Sequence, residues 1–235
     1  MSSLLYPAYA IACASILAWG SLLLVRRPRA STAIVLLVAF GVFYDNLVLA
    51  IGALLGDAVG PGDALLALSV PRFLLHQLVL PWLIYAAWDM ARQAGHPWAA
   101  ARWARRLAVV LSVAVTAAGI ATRLVGLELE PEIADGVLRY VAVGTSGPPI
   151  VSIVSIGFVG VAGLVFWRHD RWPWIVVAAV AVFVAEAFPD EAVRRAIGSA
   201  FEVVFLAVLL LTQQRLDAGR LGREIVLDRE VRAHD

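Results

Sequence analysis

Seven apolar stretches divide this sequence, at residues 4–25, 32–55, 71–92, 104–123, 148–167, 172–188 and 195–214. Most are close to the roughly 20 residues that an α-helix needs to cross the hydrocarbon core of a bilayer. Apolar and polar positions do not alternate with a period of two inside them, so strands are not expected. Prolines fall where helices start and stop. Pro71 opens the third stretch, Pro148 and Pro149 open the fifth, and Pro189 follows the sixth. The moderately apolar segment 62–70 reads as a short helix lying on the outer surface. Residues 125–147 form the longest loop, able to fold over a bundle. The first charged side chain is Arg26, and no basic region precedes the first apolar run. That run therefore reads as a retained span rather than a signal peptide. The expected architecture is an all-α integral membrane protein. A single seven-helix transmembrane domain covers residues 1–215. A charged tail, 216–235, extends the last helix into the cytoplasm, with Leu221, Ile225, Val226 and Leu227 available to touch headgroups.

Arginine sets the orientation. The 1–2, 3–4 and 5–6 connections and the tail hold Arg26, Arg27 and Arg29; Arg92, Arg102, Arg105 and Arg106; Arg168 and Arg171; and Arg215 onwards. The other connections are acidic or mixed, with Asp57, Asp63, Glu128, Glu130, Glu132, Asp135, Asp190 and Glu191. Basic loops stay inside, so the N-terminus is expected outside and the C-terminus in the cytoplasm. An odd number of crossings is required to keep all the basic loops on one side.

Composition adds three constraints. The chain is 61% hydrophobic with 16% charged residues and mean hydropathy +0.83, too apolar for one soluble core of 235 residues. A net charge of +1 gives no reason to expect a nucleic-acid partner. The single cysteine, Cys13, excludes an intrachain disulfide and any multi-cysteine metal site, and reads as a packing residue. All 19 basic residues are arginine. That bias fits a GC-rich coding sequence and hence a bacterial cytoplasmic membrane.

Ionisable groups inside spans are costly and mark function or a structural ion-pair network. Asp45 and Asn46 sit near the middle of span 2. Arg72 and His76 lie one turn apart in the outer half of span 3. Glu202 lies within span 7. Arg123 ends span 4, Ser152 and Ser155 share a face of span 5, and Glu186 lies near the outer end of span 6. These nine residues are expected to converge on an outer-half polar pocket between spans 2, 3 and 7. Asp89 with Arg92 reads as a boundary ion pair, and His96, His169 and His234 as solvated. Gly52 and Gly56 form a Gly-x-x-x-Gly pair, read as a helix contact. A zinc site is poorly supported with one outer histidine, and no metal is assigned. No Gly-x-Ser-x-Gly elbow accompanies the serines.

The seven-span layout resembles that of microbial rhodopsins and seven-helix receptors in topology alone. A retinal Schiff base requires a lysine amine, and the chain has none, so covalent retinal is excluded. The cofactor is otherwise left open. The pocket is expected to bind a small amphiphilic ligand or a lipid. The alternatives are a proton- or ion-coupled transporter and a lipid-modifying enzyme using His76 with a carboxylate, so enzymatic activity stays open. Membrane lipids are the expected partners, and homo-oligomerisation is left open.

Overall fold

The computed structural model describes residues 2–59, 62–134, 136–144 and 149–234. Long helices dominate, as the apolar runs require. They are α1 (Ser2–Arg26), α2 (Ala30–Val59), α3 (Asp63–Val79), α4 (Leu83–Ala94), the single turn α5 (Pro97–Ala100), α6 (Arg102–Gly119), α7 (Ile150–Asp170), α8 (Trp174–Glu186) and α9 (Glu191–His234). A 3₁₀ turn, Leu80–Trp82, joins α3 to α4, and a π turn, Ile120–Leu124, ends α6. Six of these segments are long and apolar enough to cross a membrane: Leu4–Arg26, Ala30–Leu55, Asp63–Ala94, Arg102–Leu124, Ile150–Asp170 and Val193–Gly219. The chain is thus a multi-pass, all-α membrane protein. The seventh apolar helix, α8, has 13 residues. At about 1.5 Å per residue it is about 20 Å long, short of the roughly 30 Å hydrocarbon core.

Three local expectations are corrected. Residues 62–70 are not a separate surface helix. They form the first half of α3, which runs through Pro71 without ending. Strands do form, outside the apolar runs. Leu129–Ala134 (β1) and Val137–Ala142 (β2) make an antiparallel hairpin, with Glu132 opposite Arg139 and a 2.6 Å ion pair between them. Gly136 at the turn takes φ 75°, which a side chain would oppose. Finally, Gly52 is not a helix–helix contact. It lies against the Leu138 carbonyl of β2. The side chains of Asp57, Asp135 and Glu191 and of the tail from Arg220 lie outside the described residues, as do Gly56's surroundings. In backbone the tail continues α9 without a break.

The bundle is organised around α2 and α4. α2 packs on α1, α3, α4, α9 and β2, and α4 on α6, α7 and α9. Apolar side chains such as Leu83, Met90, Phe166, Leu206 and Leu210 fill the interior. Others, such as Leu22, Val110 and Val161, face outwards, as expected where lipid rather than water surrounds the fold. Cys13 is fully buried.

The end of the bundle opposite the hairpin carries the arginine-rich turns. Inside it a buried polar network ties α2, α4 and α9 together. Asp89 Oδ2 accepts from the Ser31 amide at 3.2 Å and from Gln93 Nε2 at 2.9 Å. Ser31 Oγ donates to Gln213 Oε1 at 2.7 Å, and Gln213 Nε2 donates to Gln93 Oε1 at 2.8 Å. Asp89 does pair with Arg92, at 2.7 Å, but that pair is the edge of this larger network. His96 is not solvated either. It is 8% exposed, lies edge-on to Phe166 and sits 3.1 Å from Asp170.

The hairpin's seat on α2 makes a test. In Gly52→Ala the new Cβ overlaps the Leu138 carbonyl, whereas in Gly41→Ala it meets Leu75 at 3.7 Å, an ordinary contact. Thermal unfolding in detergent should show Gly52→Ala destabilised by about 1–3 kcal/mol. Gly41→Ala should be neutral or slightly stabilised. Hydrogen exchange in residues 129–142 should rise in the first variant only.

Candidate functional site

Helical spacing brings the charged side chains together. On α2, Val38, Gly41, Val42 and Asp45 follow i, i+3, i+4, i+7 and so share a face. On α3, Arg72, Leu75, His76 and Val79 do the same, and Glu202, Phe205 and Leu206 project from α9. These residues line one cavity of about 310 Å³, completed by Phe73, Gln77, Leu80, Leu83 and Ile156. The cavity exists because α3 leans on α2 but has no extensive backbone packing with α7 or α9.

Its polar and apolar groups are segregated. Asp45, Arg72 and Glu202 lie towards the hairpin end. Val38, Leu80, Leu83 and Leu206 lie deeper, up to about three turns further along the chain, or about 16 Å. Arg72 Nε donates directly to Asp45 Oδ1, joining α3 to α2. The Arg72 guanidinium also stands 5.3 Å from the Phe73 ring centre. His76 Nε2 is 3.0 Å from Ser152 Oγ on α7, and the His76 side chain is exposed, so the cavity reaches the surface there.

Three polar groups in the cavity wall keep unused capacity. Arg72 Nη1 and Gln77 Oε1 are buried with no hydrogen-bond partner. Glu202 forms no hydrogen bond or ion pair with any described residue. Buried polar atoms are ordinarily satisfied, and each unsatisfied one calls for an explanation. A bound molecule offering an acceptor to Arg72 and a donor to Glu202 supplies one for Arg72.

Of the nine residues singled out from the sequence, the structure brings Asp45, Arg72, His76 and Glu202 into this cavity, with Ser152 touching it through His76. The other four do not line it. Asn46 is one residue, about 100° of helix, away from Asp45. It is fully buried, and its Nδ2 donates to the Val42 carbonyl at 2.9 Å. Ser155 is fully buried with no partner for its hydroxyl. Arg123 lies in the π turn at the end of α6. Glu186 is exposed at the end of α8, its carboxylate against Gly198 of α9. Gln77 was overlooked because it is uncharged. Its adjacency to His76 in a span was the available signal.

Among the described residues no group of three His, Cys, Asp or Glu side chains is placed to hold a metal ion. The His76–Ser152 pair has the separation of a base and a hydroxyl nucleophile. No family model matches this chain, and no curated protein does.

The Asp45–Arg72 pair is open to a double-mutant cycle. Arg72→Gln leaves a carboxylate unpaired between helices, and Asp45→Asn leaves the guanidinium so. Each single variant should lose about 1–3 kcal/mol in thermal unfolding. The double variant should lose less than the sum, with a coupling of about 0.5–3 kcal/mol. Simple additivity would show that the two side chains do not support one another.

Proposed function

We propose that the chain binds a small amphiphilic molecule or lipid in the cavity between α2, α3 and α9. One observation carries this reading: the cavity sets Arg72, with a guanidinium nitrogen left unsatisfied, and Glu202 above an apolar floor of Val38, Leu80, Leu83 and Leu206. A few convergent polar groups on apolar walls are the usual composition of a ligand site. At about 310 Å³ the space is near the small end of such sites, which favours a short or slender ligand. His76 at the surface-reaching side offers a lateral way in from the lipid.

A second reading, a lipid-modifying enzyme, has a specific observation behind it: His76 and Ser152 are 3.0 Å apart beside the same cavity. In that reading His76 takes the serine proton. A proton- or ion-coupled transporter fits less well. The apolar floor separates this cavity from the Asp89 network, and a relay needs polar steps between them.

The membrane setting belongs to the same proposal. α7 ends at Asp170 beside His96, among the arginine-rich turns. α9 starts near the opposite end, where Tyr9 donates to the Ala196 carbonyl, and reaches Ser31 through Gln213. In this reading α8 carries the chain from one end to the other and is a seventh crossing despite its length. The arginine-rich end is then cytoplasmic and the hairpin end outside. A bacterial cytoplasmic membrane remains the expected setting, and homo-oligomerisation stays open.

The proposal is tested on the purified chain. Native mass spectrometry from mild detergent should release a co-purified amphiphile. Leu206→Trp, which fills the floor, should abolish it while the fold survives. Glu202→Gln and Arg72→Gln should each weaken binding roughly tenfold, the loss of one charge-assisted hydrogen bond. Hydrolysis of lipid esters lost in His76→Ala would instead favour the enzyme. Vesicle uptake that depends on pH and vanishes in Asp45→Asn would favour transport. Unchanged ligand content in all three binding variants would sink the binding reading.

A further inference from the structure

A second cavity lies at the arginine-rich end, away from the one described above. It has a volume of about 460 Å³ and is formed by the α1–α2 turn, α4 and the α5–α6 junction. Four arginines line it: Arg29, Arg92, Arg102 and Arg105. The one acid in its wall, Asp89, is already engaged by Arg92, Gln93 and the Ser31 amide. Arg29 Nε is buried and faces Asp217 Oδ1 at 3.7 Å, an ion pair too long to be a hydrogen bond. Arg102 and Arg105 meet no carboxylate among the described residues. The wall therefore carries a clear excess of positive charge. α6 also starts here, at Arg102, with Ala101 giving no side-chain cap. The positive end of that helix adds to the attraction for an anion. Ala100 and Ala101 keep the space open.

An adjoining groove shows what kind of anion fits. Arg102 and Arg105 also belong to a neighbouring, mostly apolar hollow with Arg106, Val109 and Val110. Val110 is 61% exposed on the outward face of α6. In a membrane that face meets lipid. A free phosphate has no use for such a groove, whereas a phospholipid fills both parts.

We propose that this cavity holds the phosphodiester headgroup of an anionic phospholipid, with an acyl chain lying along α6 over Val109 and Val110. The guanidinium forks of Arg102 and Arg105 suit the paired oxygens of a phosphodiester. Arg29 lines the same cavity, with its Nε turned to Asp217. The site is independent of the ligand cavity near the hairpin.

The test titrates phosphatidylglycerol, phosphatidylcholine and inorganic phosphate into the full chain in detergent, read by native mass spectrometry and thermal shift. Phosphatidylglycerol should bind about tenfold or more tighter than phosphatidylcholine. R102Q/R105Q should weaken phosphatidylglycerol about thirtyfold. R168Q/R171Q removes the same charge from the same end and should leave binding nearly unchanged. Val110→Glu keeps every arginine and should weaken the lipid by charging the groove. Stability of each variant in phosphatidylcholine reports on folding. A phosphatidylglycerol preference that survives R102Q/R105Q overturns the proposal, as does an equal loss in R168Q/R171Q. Stabilisation by inorganic phosphate equal to that by the lipid, or binding unaffected by Val110→Glu, overturns the lipid assignment.

Discussion

Hydrocarbon offers no partner to an ionised side chain, so a charge carried into a span must find its counterpart on another helix. In this protein that requirement falls on Asp45 and Arg72, and their direct contact fixes how α3 stands against α2. The pair does not close the bundle. It holds α3 at the level of the charges while leaving it without extensive packing on α7 and α9. The space left over is the cavity. Glu202, arriving on α9, then lines that space, and His76, one turn from Arg72, lines it where it opens to the surface. An ion pair of this type is a weak source of net stability. Its effect here is positional: it decides which wall is tight and which is loose.

The other end obeys the same constraint with different chemistry. Ser31, Asp89, Gln93 and Gln213 satisfy one another in a closed ring of hydrogen bonds, with Arg92 at the rim. A fully satisfied buried network rigidifies what it joins. It joins α2, α4 and α9, which are also three of the elements around the cavity. α3 is left out of it.

Sequence reasoning found the helices and, of its nine candidate residues, the four that line the cavity, because two simple rules govern them. Apolar length marks a span, and depth along a helix follows from residue count. Asp45, Arg72, His76 and Glu202 are legible by depth and by the cost of exposing them. Asn46 failed because depth does not give azimuth, and one residue turns the side chain away from the cavity. Ser155 failed for a related reason: a shared helix face with Ser152 does not put both at the same neighbour. The hairpin did carry a signal, the Asp135–Gly136 pair that suits a tight turn. Pro131 and the acidic residues obscured it, although an edge strand tolerates proline. Pro71 misled for the opposite reason, since its missing donor costs α3 a single bond that packing absorbs. The Asp89 ring and buried His96 depend on contacts between residues far apart in sequence, which no local pattern encodes.

The backbone adds a last asymmetry. α3 carries Pro71 within it, which removes one donor without ending the helix, and passes at Leu80–Trp82 into a 3₁₀ turn, where Pro81 removes another. Kinks concentrate at such positions. The segment between them carries Arg72, His76 and Gln77. The facing walls on α2 and α9 run without interruption into the Asp89 ring. A ligand accepting from Arg72 Nη1 can engage the guanidinium without releasing Asp45, because the two use different nitrogens.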